Sequence, residues 1–153
     1  MNKRPKKWLS DESLTVCSSQ YNMRTVHKFI CKSLIQNDPV QMVIKTKLQE
    51  KTGYKGFFLP DLNLIYVDNS DSQKEFLITI FHELFHFFFH DEFDDRKKTP
   101  NYRIDPIERR AENSAKNTYG WYVENSKLLN KLLTLVSTLP VSELTSQELE
   151  DIR

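Results

Sequence analysis

The segment from Gln73 to His90 constrains the fold most, because it contains neither glycine nor proline. Polar residues that commonly cap helices come immediately before it, and apolar residues then cover nearly the whole circumference of the helix that the spacing predicts. A helix that is apolar on every side is stable only at the centre of a packed domain. The chain is therefore predicted to fold around one buried helix.

This helix carries the sequence His82-Glu83-Leu84-Phe85-His86, which has the HExxH spacing. Residues four apart lie on one helix face, so both imidazoles can reach a single metal ion. Glu83 then lies beside the open coordination position, where its carboxylate can accept a proton from the attacking water. Burying two histidines in an otherwise apolar helix without such a partner is costly. We expect one metal ion per chain, zinc by preference and another divalent ion as the alternative.

The third protein ligand is predicted to come from a later helix that opens at a proline and carries Glu108 and Glu112 one turn apart. Their face also carries Ala111 and Ala115, whose small side chains allow another helix to approach closely. Glu108 is the preferred ligand, and Glu112 is expected to orient a ligating imidazole. Two alternatives stay open: Glu112 is itself the ligand, or the ligand lies in the acidic connection 91–95.

The other two histidines are given no metal role. His90 continues the series, but at 1.5 Å per residue it lies ~12 Å along the axis from His82, too far to share an ion. An imidazole at that position suits the negative end of the helix dipole. His27 is predicted to be a surface or boundary residue of the first helix.

The remaining patterns predict an α+β domain. Apolar spacing indicates further helices at 11–36, 106–124, 126–140 and 142–152. The leucine-rich helix at 126–140 can serve as core or as a partner surface. Alternation from Val40 to Leu48 and apolar runs at 56–59 and 62–67 predict strands. We expect a small antiparallel sheet of about three strands, packed on the buried helix.

Composition sets limits on the class of protein. A chain of 153 residues fits one domain, 1–153, with a flexible basic arm at 1–10. The net charge of +1 gives no electrostatic case for nucleic acid. Two cysteines without metal or disulfide spacing indicate reduced thiols, and neither a signal peptide nor a membrane span is predicted. The expected location is the cytoplasm.

Taken together, HELFHFFFH and the later IERRAENSA resemble the two motifs of the ImmA/IrrE family of metallopeptidases, over roughly residues 40–122. That family joins an HExxH helix to a downstream helix of the form ExxA(N/D/E)xxA. The resemblance implies a zincin-like fold in which His82, His86 and Glu108 bind zinc. It also implies that Glu83 is the catalytic glutamate. The chain departs from the family pattern at Ser114, where the family usually has phenylalanine.

The resemblance further implies a function and a partner. Members of the family cut a DNA-binding repressor at a specific site, often from a phage or another mobile element, so the expected substrate is a helix-turn-helix repressor. One alternative is a catalytically silent, antitoxin-like regulator that binds a transcription factor with the same fold. The other is a DNA-associated module that uses the basic arm, namely Lys3, Arg4, Lys6 and Lys7.

Overall fold

The computed structural model describes residues 23–38, 40–69, 72–89 and 106–152. Within these ranges the elements, in chain order, are α1 Met23–Gln36, β1 Gln41–Thr46, α2 Leu48–Thr52, β2 Gly56–Leu59, β3 Leu64–Asp68, α3 Gln73–Phe89, α4 Pro106–Val123, α5 Ser126–Val136, β4 Val141–Glu143 and α6 Ser146–Ile152. The predictions for the basic arm, for the start of the first helix, for His90 and for the acidic connection 91–95 lie outside the described residues.

The strands form one mixed sheet in the order β2-β3-β1-β4. The α+β class is confirmed, but the prediction of a three-stranded antiparallel sheet is wrong in two respects. In the part of the chain that the structure describes, the sheet has four strands, and β1 runs parallel to both β3 and β4 while β2 pairs antiparallel with β3. A pattern of period two reports which face of a strand is buried and carries no information about the direction of its neighbour. The three-residue β4 is too short and too exposed to show such a pattern.

β1 is shorter than its alternation predicts. Lys47 adopts a left-handed backbone conformation with φ of 61°, which ends the strand. Leu48 continues the alternation of apolar residues and is fully buried, but it is the first residue of α2. That helix ends after one turn at Gly53, where φ is 83° and the backbone N–H donates to the carbonyl oxygen of Gln49. Glycine adopts this conformation without the steric cost that other residues meet.

α3 is the central helix of the main core, as predicted. Every residue from Leu77 to Phe87 is buried. On one side α3 packs against α4, and on another it packs against β2 and β3. The close approach of α4 depends on Ala111 and Ala115, which have no exposed surface and leave no side-chain bulk between the two helices.

The other helices complete the two faces of the sheet. α1 packs on α5 and β1, and α5 contributes Leu132 and Val136 to the main core. On the opposite face a second, smaller cluster joins α2 and α6 around Tyr66. Among the described residues, none of the helices combines the length and the apolar character that a bilayer crossing requires.

Candidate metal centre

Three donor groups from α3 and α4 converge on one point. Nε2 of His82 lies 3.2 Å from Nε2 of His86 and 2.9 Å from Oε2 of Glu108. Nε2 of His86 lies 3.0 Å from the other carboxylate oxygen, Oε1 of Glu108. All three side chains are buried. The helical spacing brings the two imidazoles together, and the packing of α4 on α3 adds the carboxylate.

These distances suit a zinc ion. With zinc-to-ligand bonds of 2.0–2.1 Å, the ligand atoms of a tetrahedral site lie ~3.3 Å from one another. The two imidazole nitrogens lie 3.2 Å apart, close to that length, and they lie 2.9 Å and 3.0 Å from different oxygens of the Glu108 carboxylate. Two imidazole nitrogens and one carboxylate oxygen also match the three-ligand sets of hydrolytic zinc sites, which leave one position for water. His82, His86 and Glu108 therefore fit a divalent metal both in chemistry and in spacing.

The two imidazoles keep Glu108 in its charged form. Burial by itself raises the pKa of this carboxyl, since it removes the charged form from water. Hydrogen bonds with His82 and His86, together with the charge of these imidazoles, outweigh that effect and hold the pKa well below its ordinary value of 4.5. An ionised carboxylate is the form that binds a metal ion.

Glu112 takes the place predicted for a supporting residue. Its Oε2 lies 3.8 Å from Nδ1 of His82, on the side of the ring away from the donor cluster. A carboxylate behind a ligating imidazole orients the ring and raises its basicity. The geometry thus separates the two glutamates of α4: Glu108 lies with the donors, and Glu112 lies behind one of them.

Glu83 faces a cavity of about 800 Å³, and His82, His86, Glu108 and Glu112 also line this cavity. The side chain is 8% exposed, so it reaches the cavity from a largely buried position. The cavity is also lined by residues outside the two sequence motifs, including Tyr54, Phe57, Leu149 and Ile152. Leu149 and Ile152 belong to α6, and no local pattern connects that helix with a motif more than sixty residues earlier.

The prediction that His27 is a surface or boundary residue is wrong. Its side chain is only 7% exposed, and Nδ1 lies 2.7 Å from the hydroxyl of Tyr122. Nε2 lies 3.5 Å from Sγ of Cys31, which is a free buried thiol. Burial lowers the pKa of His27, and the positive charge of Lys131 lowers it further. Tyr122 is 95 positions away in sequence, so helical spacing alone carried no sign of this pairing.

Two histidines of an HExxH helix with a glutamate from a second helix are a donor set typical of metal-dependent peptidases. Residues 41–117 match the peptidase M78 family, described as the IrrE N-terminal-like domain, which confirms the resemblance drawn from the two motifs. The matched range is half of the chain and contains α3 together with α4 up to residue 117, so the chain belongs to this family. The comparison with curated proteins and the comparison with solved structures each gave no match.

Proposed function

We propose that this protein is a zinc-dependent endopeptidase. One observation carries the proposal: the donors of His82, His86 and Glu108 converge at the wall of a cavity that Glu83 also faces. These three residues would hold the zinc ion, which would supply Lewis acidity at the cavity wall. Membership of a metallopeptidase family supports the same reaction class.

Other residues of the chain transfer the proton and orient the metal-binding side chains. Glu83 is the general base: its carboxylate accepts the proton of the attacking water and then donates it to the departing amine. Glu112, whose Oε2 lies 3.8 Å from Nδ1 of His82, favours by its charge the orientation of the ring that directs Nε2 at the donor cluster. The apolar surroundings of α3 keep Glu83 and the donors in place, because every residue from 77 to 87 is packed.

The proposed substrate is a helix-turn-helix repressor of a phage or another mobile element, cut at one site in the cytoplasm. Two features support a protein substrate. The cavity is large enough to hold several residues of an extended chain, and its walls combine aromatic and aliphatic side chains with the carboxylates. The repressor follows from the resemblance of both motifs to the ImmA/IrrE family.

The test is co-expression with helix-turn-helix repressors of phages and other mobile elements, including any encoded beside the gene, followed by a gel and mass spectrometry of the products. We expect one cleavage site with the wild-type chain. Glu83→Gln should keep the metal and the fold but give no product, because an amide cannot accept the proton. His86→Ala should lose both the metal and the product.

The outcomes separate the enzyme from a silent regulator. A repressor that copurifies with the wild-type chain but stays intact would favour the regulator. Cleavage by Glu83→Gln at the wild-type rate would exclude Glu83 as the base. Lys127→Gln, an exposed change on α5, is the matched control and should cut like the wild type.

A further inference from the structure

The strand β2 lies along one row of residues on the surface of α3, and this row is called the stripe below. Thr79, Glu83 and Phe87 are four residues apart and therefore share a helix face. Gly56 and Phe58 are two residues apart and share a strand face. The ring of Phe58 packs edge-on against the ring of Phe87, with centroids 5.6 Å apart. This aromatic contact fixes the strand on the helix at one end of the stripe.

The spacing of the two elements places Gly56 over Glu83. Two strand residues span ~6.6 Å, and four helical residues rise ~6 Å. Because these lengths are nearly equal, Gly56 lies opposite Glu83 when Phe58 lies opposite Phe87. A methyl group on Gly56 would lie 2.9 Å from Cγ2 of Thr79 and 3.0 Å from Cγ of Glu83. It would also lie 3.1 Å from Oε2 of Glu83. The contact with Thr79 is shorter than real methyl groups show, and the two contacts with Glu83 are so tight that this side chain has to give way by a few tenths of an ångström.

Of these two side chains, Glu83 is the more easily displaced by rotation. Thr79 is branched at Cβ and therefore stiff, and its hydroxyl donates to the carbonyl oxygen of Glu75 at 2.9 Å. Glu83 is unbranched and can turn about three side-chain bonds. The backbone at Gly56 does not require glycine, because it lies in a strand and does not have a positive φ. The narrow space beside Thr79 and Glu83 is the steric reason for glycine at this position.

We infer that Gly56 is a positioning residue for Glu83: its lack of a side chain lets β2 lie against α3 while the carboxylate keeps its place at the cavity that the donors also line. The consequence for hydrolysis rests on the proposed function. The placement of the carboxylate does not, and it can be measured on the metal-free chain. The inference concerns geometry and is independent of which metal is bound.

The test compares Gly56→Ala with Gly120→Ala in the full chain. Gly120 lies in α4, and a methyl group there meets nothing within 4 Å, so this variant adds the same atoms without a contact. Carboxyl-selective ¹³C NMR reports on Glu83, whose signal is identified by its loss in Glu83→Gln. We expect Gly56→Ala to shift this signal and Gly120→Ala to leave it in place. An unshifted Glu83 signal in Gly56→Ala overturns the inference.

Activity on a quenched fluorescent peptide library provides the second measurement. Gly56→Ala should lower kcat on the order of 10- to 100-fold, with KM and zinc content unchanged, because a misplaced base slows the chemical step without weakening binding. Gly120→Ala should have the kcat, the KM and the zinc content of the wild type. A change in KM or zinc content with kcat preserved contradicts the inference.

The double variant Gly56→Ala/Thr79→Ser separates the two neighbours. Serine removes Cγ2, and so the shortest contact, but keeps the hydroxyl that donates to Glu75. If Glu83 is the group displaced, kcat stays low in the double variant. Full recovery of kcat would assign the loss to Thr79 and overturn the inference. If the wild type cuts no peptide or repressor, the proposed function fails, while the NMR comparison still decides the role of Gly56.

Discussion

Nε2 of His82 lies 2.9 Å from Oε2 of Glu108, although the two residues are 26 positions apart and belong to different helices. The histidine pair is a local property of one helix, since residues four apart always share a face. The contact with Glu108 depends instead on how closely α4 packs on α3. Ala111 and Ala115, which are fully buried, permit that approach, so the candidate metal centre depends on two small side chains outside the donor set.

The two glutamates of α4 should differ in their effect on metal affinity. Glu108→Ala removes a donor and should weaken zinc binding by more than ~100-fold. Glu112→Ala removes the carboxylate behind His82 and should weaken zinc binding by ~10–100-fold. Competition with a fluorescent chelator measures both, and Glu124→Ala, an exposed change just after α4, should bind like the wild type. A larger loss for Glu112→Ala would reverse the two roles. No loss for either would direct attention to the acidic connection 91–95.

Enlarging the contact between the helices should damage the site from a distance. Ala111→Leu places a larger side chain where no surface is exposed, and we expect it to cost about 1–3 kcal/mol of unfolding free energy. It should also weaken zinc binding, because α4 must move away from α3 and carries Glu108 with it. Asn113→Leu, on the exposed face of α4, is the matched control. Urea denaturation and zinc titration give the two readouts, and equal zinc affinity in both variants would contradict this account.

Glu148 should stabilise the attachment of α6 to the sheet. Its Oε2 lies 2.7 Å from Nζ of Lys45 and accepts a hydrogen bond from the hydroxyl of Tyr66 at 2.9 Å. Burial and the neighbouring carboxylate raise the pKa of Tyr66 to about 12. Glu148→Gln should cost about 1–3 kcal/mol at pH 7, toward the lower end because the glutamate side chain is 24% exposed. Glu150→Gln, exposed on the same helix, should change urea denaturation little.

The same carboxylate predicts a pH dependence of stability. Burial raises the pKa of Glu148, but hydrogen bonds from Lys45, Thr145 and Tyr66 outweigh burial and lower it from 4.5 to about 2. A carboxyl with a lower pKa in the folded state contributes its full stability above about pH 4.5, and this is lost as pH falls toward 2. Between pH 5 and pH 3, the wild type should therefore lose more unfolding free energy than Glu148→Gln. Parallel losses would show that Glu148 is not responsible.

The hydrogen bond between Tyr122 and His27 should stabilise the fold without affecting the metal. Tyr122 has no exposed surface, and its ring stacks on Phe81 with centroids 5.5 Å apart. Tyr122→Phe keeps the ring but removes the hydroxyl, and we expect a loss of about 1–2 kcal/mol with unchanged zinc affinity. Tyr54→Phe, at a tyrosine that is 58% exposed, should leave stability unchanged. A loss of zinc binding in Tyr122→Phe would connect this pair to the metal centre.

The sequence by itself determined the parts of the protein that rest on local geometry. The period of an α-helix predicts both the buried α3 and the shared face of His82 and His86, because residues four apart meet within any helix. A proline that suits the first helical turn marks the start of α4. Glu108 and Glu112 then follow on one face, and the two motifs together suffice to identify the family.

The tertiary structure alone decided which distant elements meet. Strand direction and order, the pairing of His27 with Tyr122, and the α6 wall of the cavity all join residues far apart in the chain. It also decided that Glu108 lies with the imidazoles and Glu112 behind one of them. Both glutamates satisfy the same helical period, and only the approach of α4 to α3 separates them, because periodicity defines a face and packing defines what that face touches.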